Sequence, residues 1–297
     1  MIRSMKKSWY KGKVFVITGA SGDIGSEVCR LFAPLGLRMY LLDIQTPALD
    51  KLAQDVKALG AEYAEAMVMD VTDRDQIESV IKSIGEKEKY IDILYNNAGI
   101  GNNCSITNGG TFEEYRRIMS INVDGMWLVL QAALPYIGRP KPDKKYPDRR
   151  EGQLIFTSSS AGKVGIPNMA AYCMSKHAIV AMADALRLEY KMKDHNIHVI
   201  TICPAPVKTK FWDSTPEYHD WLQKYEKKGF LYKLLETKAV AKAILKASRG
   251  NKKERFVPRW WSIMSFFNVY NRGLVGKLLM GVEKSKADMP KKEKKDI

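Results

Sequence analysis

The chain has 297 residues, of which 45% are hydrophobic and 27% are charged, close to the averages of soluble globular proteins. This composition excludes a largely disordered chain, a collagen-like repeat and a small disulfide-stapled protein. Lysine and arginine outnumber the acidic residues by 48 to 33, and the net charge of +15 favours anionic partners without choosing among lipid, nucleic acid and phosphorylated ligands.

The four cysteines are scattered along the chain, without a CxxC pair or a cluster with histidine. We therefore predict a reducing compartment and no metal site. The basic N-terminus leads into a strand pattern without an apolar signal segment, and no window holds the ~18 uncharged apolar residues of a membrane-spanning helix. These features predict a cytoplasmic protein.

Short β-rich runs alternate with stretches of helical periodicity along most of the chain. Such alternation predicts an α/β fold, a doubly wound parallel sheet of about seven strands in a single domain over residues 1–257. The strands are expected at 13–18, 38–43, 65–70, 91–96, 153–158, 197–202 and 255–257, and the helices near 24–35, 48–59, 73–85, 111–137, 170–194 and 237–249.

Two segments interrupt this alternation. Residues 138–152 are rich in proline and basic side chains, which predicts a solvated loop. Residues 258–297 extend beyond the last strand, with an uncharged aromatic stretch at 260–271 and a lysine-rich end that we predict to be a disordered tail.

The first predicted strand runs through the glycine-rich turn Thr18-Gly19-Ala20-Ser21-Gly22-Asp23-Ile24-Gly25 into a helix. Glycines let the backbone approach a pyrophosphate, and a helix N-terminus offers free N–H groups to it. The second strand ends at Asp43, whose carboxylate can accept hydrogen bonds from the adenosine ribose and would repel the 2′-phosphate of NADP. We predict a dinucleotide site that prefers NAD, with NADP not excluded.

A second pattern places Tyr172 and Lys176 four residues apart on a predicted helix, so both side chains lie on one face. The ordinary tyrosine pKa near ~10 is too high for a base at neutral pH, and a neighbouring ammonium lowers the pKa of a phenol. Ser159, thirteen residues upstream at the end of a strand, could hold a substrate oxygen nearby. Alone, the YxxxK spacing also suits an ordinary surface helix.

Taken together, the motifs resemble the short-chain dehydrogenase/reductase family over about residues 11–257. The matching elements are TGASGDIG at 18–25, Asp70-Val71, Asn96-Asn97-Ala98-Gly99, Asn122 within INVDG, Ser159, Tyr172 with Lys176, and Pro204-Ala205-Pro206-Val207-Lys208-Thr209.

The resemblance implies a Rossmann-type sheet of seven strands and a catalytic tetrad of Asn122, Ser159, Tyr172 and Lys176. Tyr172 would take the alcohol proton, Ser159 would orient the substrate oxygen, Lys176 would bind the nicotinamide ribose and lower the tyrosine pKa, and Asn122 would hold a water. The expected cofactor-binding residues are Gly19, Ser21, Asp23, Ile24, Gly25, Asp43, Asp70, Val71, Asn97, Ala98, Gly99, Tyr172, Lys176, Pro204, Val207 and Thr209.

The chain departs from the family pattern at two positions. Asp23 stands where the pattern has glycine, which places a carboxylate beside the expected phosphate site unless the side chain turns away. Ala205 replaces the glycine of a Pro-Gly pair and restricts the backbone mildly.

Seven aromatic residues follow the last of these motifs, where the family inserts a segment that covers the substrate. If they line the pocket, the substrate is apolar and bulky; they could equally form the core of a small lobe. They are Phe211, Trp212, Tyr218, Trp221, Tyr225, Phe230 and Tyr232.

The leading hypothesis is therefore an NAD-dependent oxidoreductase that interconverts a secondary alcohol and a ketone on an apolar, lipid-like substrate. The alternatives are an NADPH-dependent ketone reductase and a non-catalytic dinucleotide-binding scaffold. We expect no nucleic-acid partner, because the basic loop lacks interleaved stacking aromatics. The resemblance implies a homo-oligomer. Residues 258–282 could bind peripherally at a membrane surface or pack on the enzyme.

Overall fold

The computed structural model describes residues 6–101, 104–107, 109–142, 144–145, 147–212, 234–250 and 252–273. Two sets of predicted residues lie outside these ranges. They are the aromatic residues at 218–232, and the end of the apolar extension with the lysine-rich tail from 274 onwards.

The centre of the protein is an eight-stranded sheet with the order β3-β2-β1-β4-β6-β7-β8. These strands pair in parallel, and the short β5 pairs antiparallel with β6, so the predicted fold class is confirmed. The strands are β1 Val14–Thr18, β2 Arg38–Asp43, β3 Tyr63–Val68, β4 Ile93–Asn96, β5 Arg139–Pro140, β6 Arg150–Thr157, β7 Asn196–Pro204 and β8 Glu254–Val257.

Helices cover both faces of the sheet, because every strand crossover carries one. They are α1 Asp23–Phe32, α2 Thr46–Ala58, α3 Arg74–Glu88, α4 Phe112–Met119, α5 Gly125–Ala133, α6 Ala170–Met192, α7 Thr237–Arg249 and α8 Trp261–Tyr270. The single helix predicted over 111–137 is interrupted by a π turn at Ser120–Asp124 between α4 and α5. Such a turn inside a helix commonly marks a functional position.

The core consists of two layers, one on each face of the sheet. On one face α1, α2 and α7 bury Val28, Leu49 and Val240; on the other α3, α5 and α6 bury Ile77 and Val129 among their core residues. All five residues of β1 are buried, which explains why this strand reads as an unbroken apolar run.

A buried carboxylate corrects the prediction that 138–152 is wholly a solvated loop. Asp92 is fully buried and accepts hydrogen bonds from the Val14 N–H at 2.8 Å and from Arg139 Nε at 2.7 Å, with Lys13 Nζ at 3.1 Å. Since Arg139 must reach Asp92, the start of this segment joins the sheet as β5, and β6 already begins at Arg150. The buried charge of Asp92 therefore holds the start of the segment through Arg139.

One stretch, Phe112–Tyr136, is long and apolar enough by composition to cross a membrane. It is not a continuous α-helix, and it contributes Ile118, Met126 and Val129 to the core. We therefore describe it as a core element of the domain.

Candidate functional site

The glycine-rich turn leaves β1 and enters α1 with a tightly packed backbone. Gly19 has a φ of +63°, which glycine tolerates best. A Cβ on Gly25 would lie 2.2 Å from the Gly19 carbonyl oxygen, so only glycine lets the helix approach the turn. The Ser21 hydroxyl is buried in this turn and has no hydrogen-bond partner within the described residues. An unsatisfied hydroxyl beside a helix N-terminus fits an anionic group such as a pyrophosphate.

The carboxylate of Asp43 lies against the same turn. It accepts hydrogen bonds from the N–H of Ser21 at 2.9 Å and from the N–H of Ile44 at 2.7 Å. The side chain is partly exposed, and each carboxylate oxygen can accept further bonds. Asp43 is therefore placed beside the turn, as predicted for a ribose-binding acid.

Asn97 and Ala98 follow β4 and are hydrogen-bonded to the residues at the end of β1. Both N–H groups donate to the Thr18 hydroxyl at 3.1 Å, and the Asn97 amide donates to the Gly19 carbonyl at 3.1 Å. A Cβ on Gly99 would lie 3.0 Å from Asn122 Oδ1 and 3.3 Å from Lys176 Nζ. This loop therefore connects the glycine-rich turn with the predicted tetrad.

Asp70 and Val71 follow β3 and make contacts that stabilise the loop in which they lie. The Asp70 carboxylate accepts hydrogen bonds from the N–H and hydroxyl of Thr72, both at 2.8 Å, and a Cβ on Gly125 would collide with the Val71 carbonyl oxygen at 2.7 Å. The predicted contact of Asp70 with adenine remains a prediction.

The π turn presents Asn122, which is fully buried, to the loop after Gly99. Its Oδ1 accepts from the Ile100 N–H at 2.8 Å, while Nδ2 donates to the Ile100 carbonyl at 2.9 Å and to Ser175 Oγ at 3.0 Å. Both side-chain donors are thus used within the protein. Asn122 joins the loop to α6, a positioning role that was not inferred from its motif.

Tyr172 and Lys176 lie side by side on α6, as their spacing predicted. Lys176 Nζ is 5.5 Å from the Tyr172 ring centroid and donates to the Thr157 carbonyl at 3.2 Å. Only 7% of Tyr172 and 3% of Lys176 are exposed. The tetrad side chains are brought together at the carboxyl end of the sheet.

Burial dominates the electrostatics of this pair. It raises the pKa of the Tyr172 hydroxyl above its ordinary value, and the hydrogen bond with Ser159 opposes that rise. Burial also lowers the pKa of Lys176 to about 8. Burial is the largest influence on the Tyr172 pKa, and the expectation that Lys176 lowers the tyrosine pKa stays a prediction.

Two serines that the motifs did not single out support the tetrad. Ser158 Oγ donates to the Lys176 carbonyl at 2.8 Å, and Ser175 Oγ donates to the Tyr172 carbonyl at 2.8 Å. Gly162 packs beside them, since a Cβ there would lie 2.4 Å from Ser158 Oγ. The run of hydroxyl residues ending β6 was the available signal for Ser158.

The segment after β7 contacts Ser159 and Tyr172. Pro204 ends β7, its carbonyl is 3.4 Å from Ser159 Oγ, and Val207 and Thr209 follow in the adjoining turn. The Phe211 ring packs edge-on against Tyr172, with ring centroids 5.8 Å apart. Ala205 does not need a positive φ, so the alanine at the family's glycine position is accommodated.

Comparisons with known proteins agree with this arrangement. The family model described as short chain dehydrogenase matches residues 13–219. The chain is 30% identical over 207 residues to the 3-oxoacyl-[acyl-carrier-protein] reductase FabG of Thermotoga maritima, covering 70% of this chain and 79% of the relative. It is also 30% identical over 208 residues to the meso-2,3-butanediol dehydrogenase of Serratia marcescens, covering 70% and 76%.

Among solved structures, a short chain dehydrogenase/reductase from Burkholderia phymatum, crystallised in complex with NAD, superposes with a TM-score of 0.76. It is 22% identical, and the match covers 89% of this chain and 95% of that one, which shows a shared fold. The family-model match and the sequence identity to these relatives show which family the chain belongs to. The chain therefore belongs to the short-chain dehydrogenase/reductase family, whose members are NAD(P)-dependent oxidoreductases acting on CH–OH groups.

Proposed function

We propose that the protein is an NAD-dependent oxidoreductase that interconverts a secondary alcohol and a ketone on an apolar, lipid-like substrate. The observation that carries this proposal is the placement of Tyr172, Lys176 and Ser159 together, beside the loop that leads to the glycine-rich turn. A dinucleotide scaffold without catalysis would not require these three side chains in one place.

The preference for NAD rests on Asp43. Its carboxylate is fixed by the Ser21 N–H next to the expected phosphate site, where it would repel a 2′-phosphate. The Ser21 hydroxyl, buried and without a partner among the described residues, and the closely packed Gly25 support a pyrophosphate in the turn. In this assignment Gly19, Ile24 and the N–H of Asp23 line the same cradle.

The tetrad residues would share the work of proton transfer. Tyr172 would accept the alcohol proton during oxidation and return it during reduction, while Ser159 would hydrogen-bond the substrate oxygen. Lys176 would stabilise the phenolate with its ammonium, and Asn122 would hold the Ile100 loop and α6 in register. Bound nicotinamide would supply the hydride acceptor for oxidation and the hydride donor for reduction.

An apolar substrate is supported by the side chain next to the base. The Phe211 ring contacts Tyr172, and a Cβ on Gly101 would collide with that ring at 2.3 Å, so an aromatic wall stands beside the reacting oxygen. Such a wall favours an apolar group on the substrate carbon.

A panel of steroid, retinoid, fatty-acyl and sugar alcohols, each with NAD and with NADP, tests this function by nicotinamide absorbance. We expect turnover of apolar secondary alcohols with NAD. Turnover confined to sugar alcohols would contradict the substrate class, and a higher specificity constant with NADP would contradict the cofactor preference.

We also propose that α8 lies at a membrane surface. None of its residues is buried, and Phe266, Val269 and Tyr270 expose 59%, 73% and 73% of their surface. Aromatic side chains favour the lipid interface, and Arg259 and Arg272 at the ends of the segment suit anionic headgroups.

Co-sedimentation with anionic vesicles tests this placement on the full chain. The double variant Phe266→Ser with Val269→Ser is expected to shift most of the protein to the supernatant. The matched control removes two exposed apolar side chains elsewhere, Leu59→Ser with Met192→Ser, and should sediment like the unmodified protein. Equal sedimentation of both variants would refute the proposal.

We further propose a homo-oligomer, with α5 and α6 at the subunit contact. Trp127 on α5 and Leu188 on α6 expose 58% and 64% of their surface, and burying these large apolar side chains against a second subunit would stabilise the contact. Light scattering on the purified protein tests this, and a monomeric mass at micromolar concentration would refute it.

A further inference from the structure

A basic groove lies between α7 and the end of β8, apart from the tetrad and the glycine-rich turn. Its volume is about 260 Å³, and its apolar walls include Ala239, Ala243 and Val257. Four cationic side chains also line it, two from α7 and two from β8 and the residues after it. They are Lys242, Lys246, Arg255 and Arg259. Among the described residues, no acidic side chain lines the groove.

These cations are not neutralised by the described part of the chain. None of the four makes an ion pair there, and the nearby acid in β8, Glu254, is paired with Lys163 at 2.6 Å. Other basic side chains near the sheet are paired, such as Arg139 with Asp92. Four like charges around one cavity repel one another, so the groove is electrostatically unfavourable without an anion.

Arg255 shows this cost most clearly. Its Nε is buried and has no hydrogen-bond partner among the described residues. Burial, reinforced by repulsion from Arg259, lowers the pKa of Arg255 below its ordinary value. A buried donor without an acceptor costs free energy that a bound oxyanion would recover.

We propose that this groove is a binding site for a phosphate group, either free in solution or on a lipid headgroup. Guanidinium groups bind phosphate through paired N–H donors and ammonium groups add charge, which matches the residues that line the cavity. The aromatic helix α8 begins two residues after Arg259, so a phosphate held here could carry an apolar body towards α8. The phosphate site does not depend on α8 binding lipid.

The test measures phosphate binding to the full chain in saturating NAD, so that the dinucleotide site is filled. Equilibrium dialysis with labelled inorganic phosphate measures the binding of free phosphate. Co-sedimentation with phosphatidylcholine vesicles containing about one-fifth phosphatidic acid measures binding to a lipid headgroup phosphate. The groove variant is Lys242→Gln with Lys246→Gln, both exposed positions on α7 and outside the proposed membrane segment, and its turnover should equal that of the unmodified enzyme.

We expect the groove variant to bind at least one phosphate source about tenfold more weakly, because it loses charge-assisted hydrogen bonds. The matched control, Lys252→Gln with Lys253→Gln, removes the same charge outside the groove and should bind within about twofold of the unmodified protein. A loss in both assays assigns a free phosphate group, and a loss only with vesicles assigns a headgroup phosphate. Equal binding by the two variants in both assays would overturn the site.

Discussion

The carboxylate of Asp23 accepts a hydrogen bond from the main-chain N–H of Lys210 at 2.7 Å, across 187 residues of sequence. Asp23 stands at a position where the family pattern has glycine. Its side chain turns away from the expected pyrophosphate site and towards the segment that carries Phe211 against Tyr172. Asp23 thus connects the glycine-rich turn with the wall of the predicted substrate pocket.

Replacing Asp23 with glycine should therefore affect the substrate more than the cofactor. We expect Asp23→Gly to raise the KM for the alcohol about three- to tenfold at saturating NAD, because a hydrogen bond to a charged acceptor is lost. Asp23→Asn keeps an acceptor oxygen and should stay within about twofold. Steady-state kinetics decide this, and an unchanged KM for Asp23→Gly would show that Lys210 is held by other contacts.

Asp43 should set the cofactor preference. In the double variant Asp43→Ala with Ile44→Arg, the repelling carboxylate is gone and a guanidinium is available for the 2′-phosphate. We expect the ratio of kcat/KM for NADP over NAD to rise at least about tenfold. The matched control is Ile44→Arg alone, which should move the ratio less because the carboxylate remains. A ratio unchanged in the double variant would remove Asp43 from this role.

Lys176 should weaken the fold at neutral pH because its charge is buried. Its pKa falls from 10.5 to about 8 in the folded chain, so below pH 8 both states are charged and the burial penalty is complete. Between these values the unfolded chain binds more protons, and stability rises with pH. We expect Lys176→Met to raise the unfolding free energy by about 2 kcal/mol near pH 7 and by less near pH 10.

Thermal or urea unfolding at the two pH values measures this difference, and loss of turnover in the same variant is expected. A destabilised Lys176→Met protein at neutral pH would indicate that the hydrogen bond with the Thr157 carbonyl outweighs the burial of charge.

The buried carboxylate of Asp92 should be a stability determinant without a role in catalysis. Asp92→Ala leaves the Val14 N–H and two cations without their acceptor, and we expect a loss of about 3 kcal/mol. Arg139→Gln removes one partner and should cost less. The exposed pair of Arg74 with Glu78 is the control, where solvent screens the charges and Arg74→Gln should leave the unfolding free energy nearly unchanged. Equal losses at Arg139 and Arg74 would contradict this ranking.

Most of the sheet could be predicted because its strands are buried on both faces and read as apolar runs. One difference in strand bounds is informative. β3 was expected at 65–70 and forms at Tyr63–Val68, where Arg38 pairs with Tyr63 in register. This edge strand is mostly only partly buried, so apolar patterning marks its bounds less clearly than those of the central strands.

The candidate site could likewise be predicted only in part. Helical spacing alone placed Tyr172 beside Lys176, and the end of β2 placed Asp43 beside the turn. Contacts between distant segments could not be predicted, because no local pattern links Asp23 with Lys210 or Asn122 with Ile100. The pKa of Tyr172 was also beyond the sequence, since burial depends on the whole packed site.

The central claim is that Tyr172 is the base in alcohol oxidation. Tyr172→Phe removes only the hydroxyl, and Tyr190→Phe removes a hydroxyl from the same helix away from the tetrad. The direct measurement is kcat with the best alcohol of the panel, paired with an NAD titration by fluorescence. We predict that Tyr172→Phe lowers kcat by at least about 100-fold with NAD binding retained, while Tyr190→Phe stays near the unmodified rate. Turnover of Tyr172→Phe above a few per cent of the unmodified rate would contradict the account.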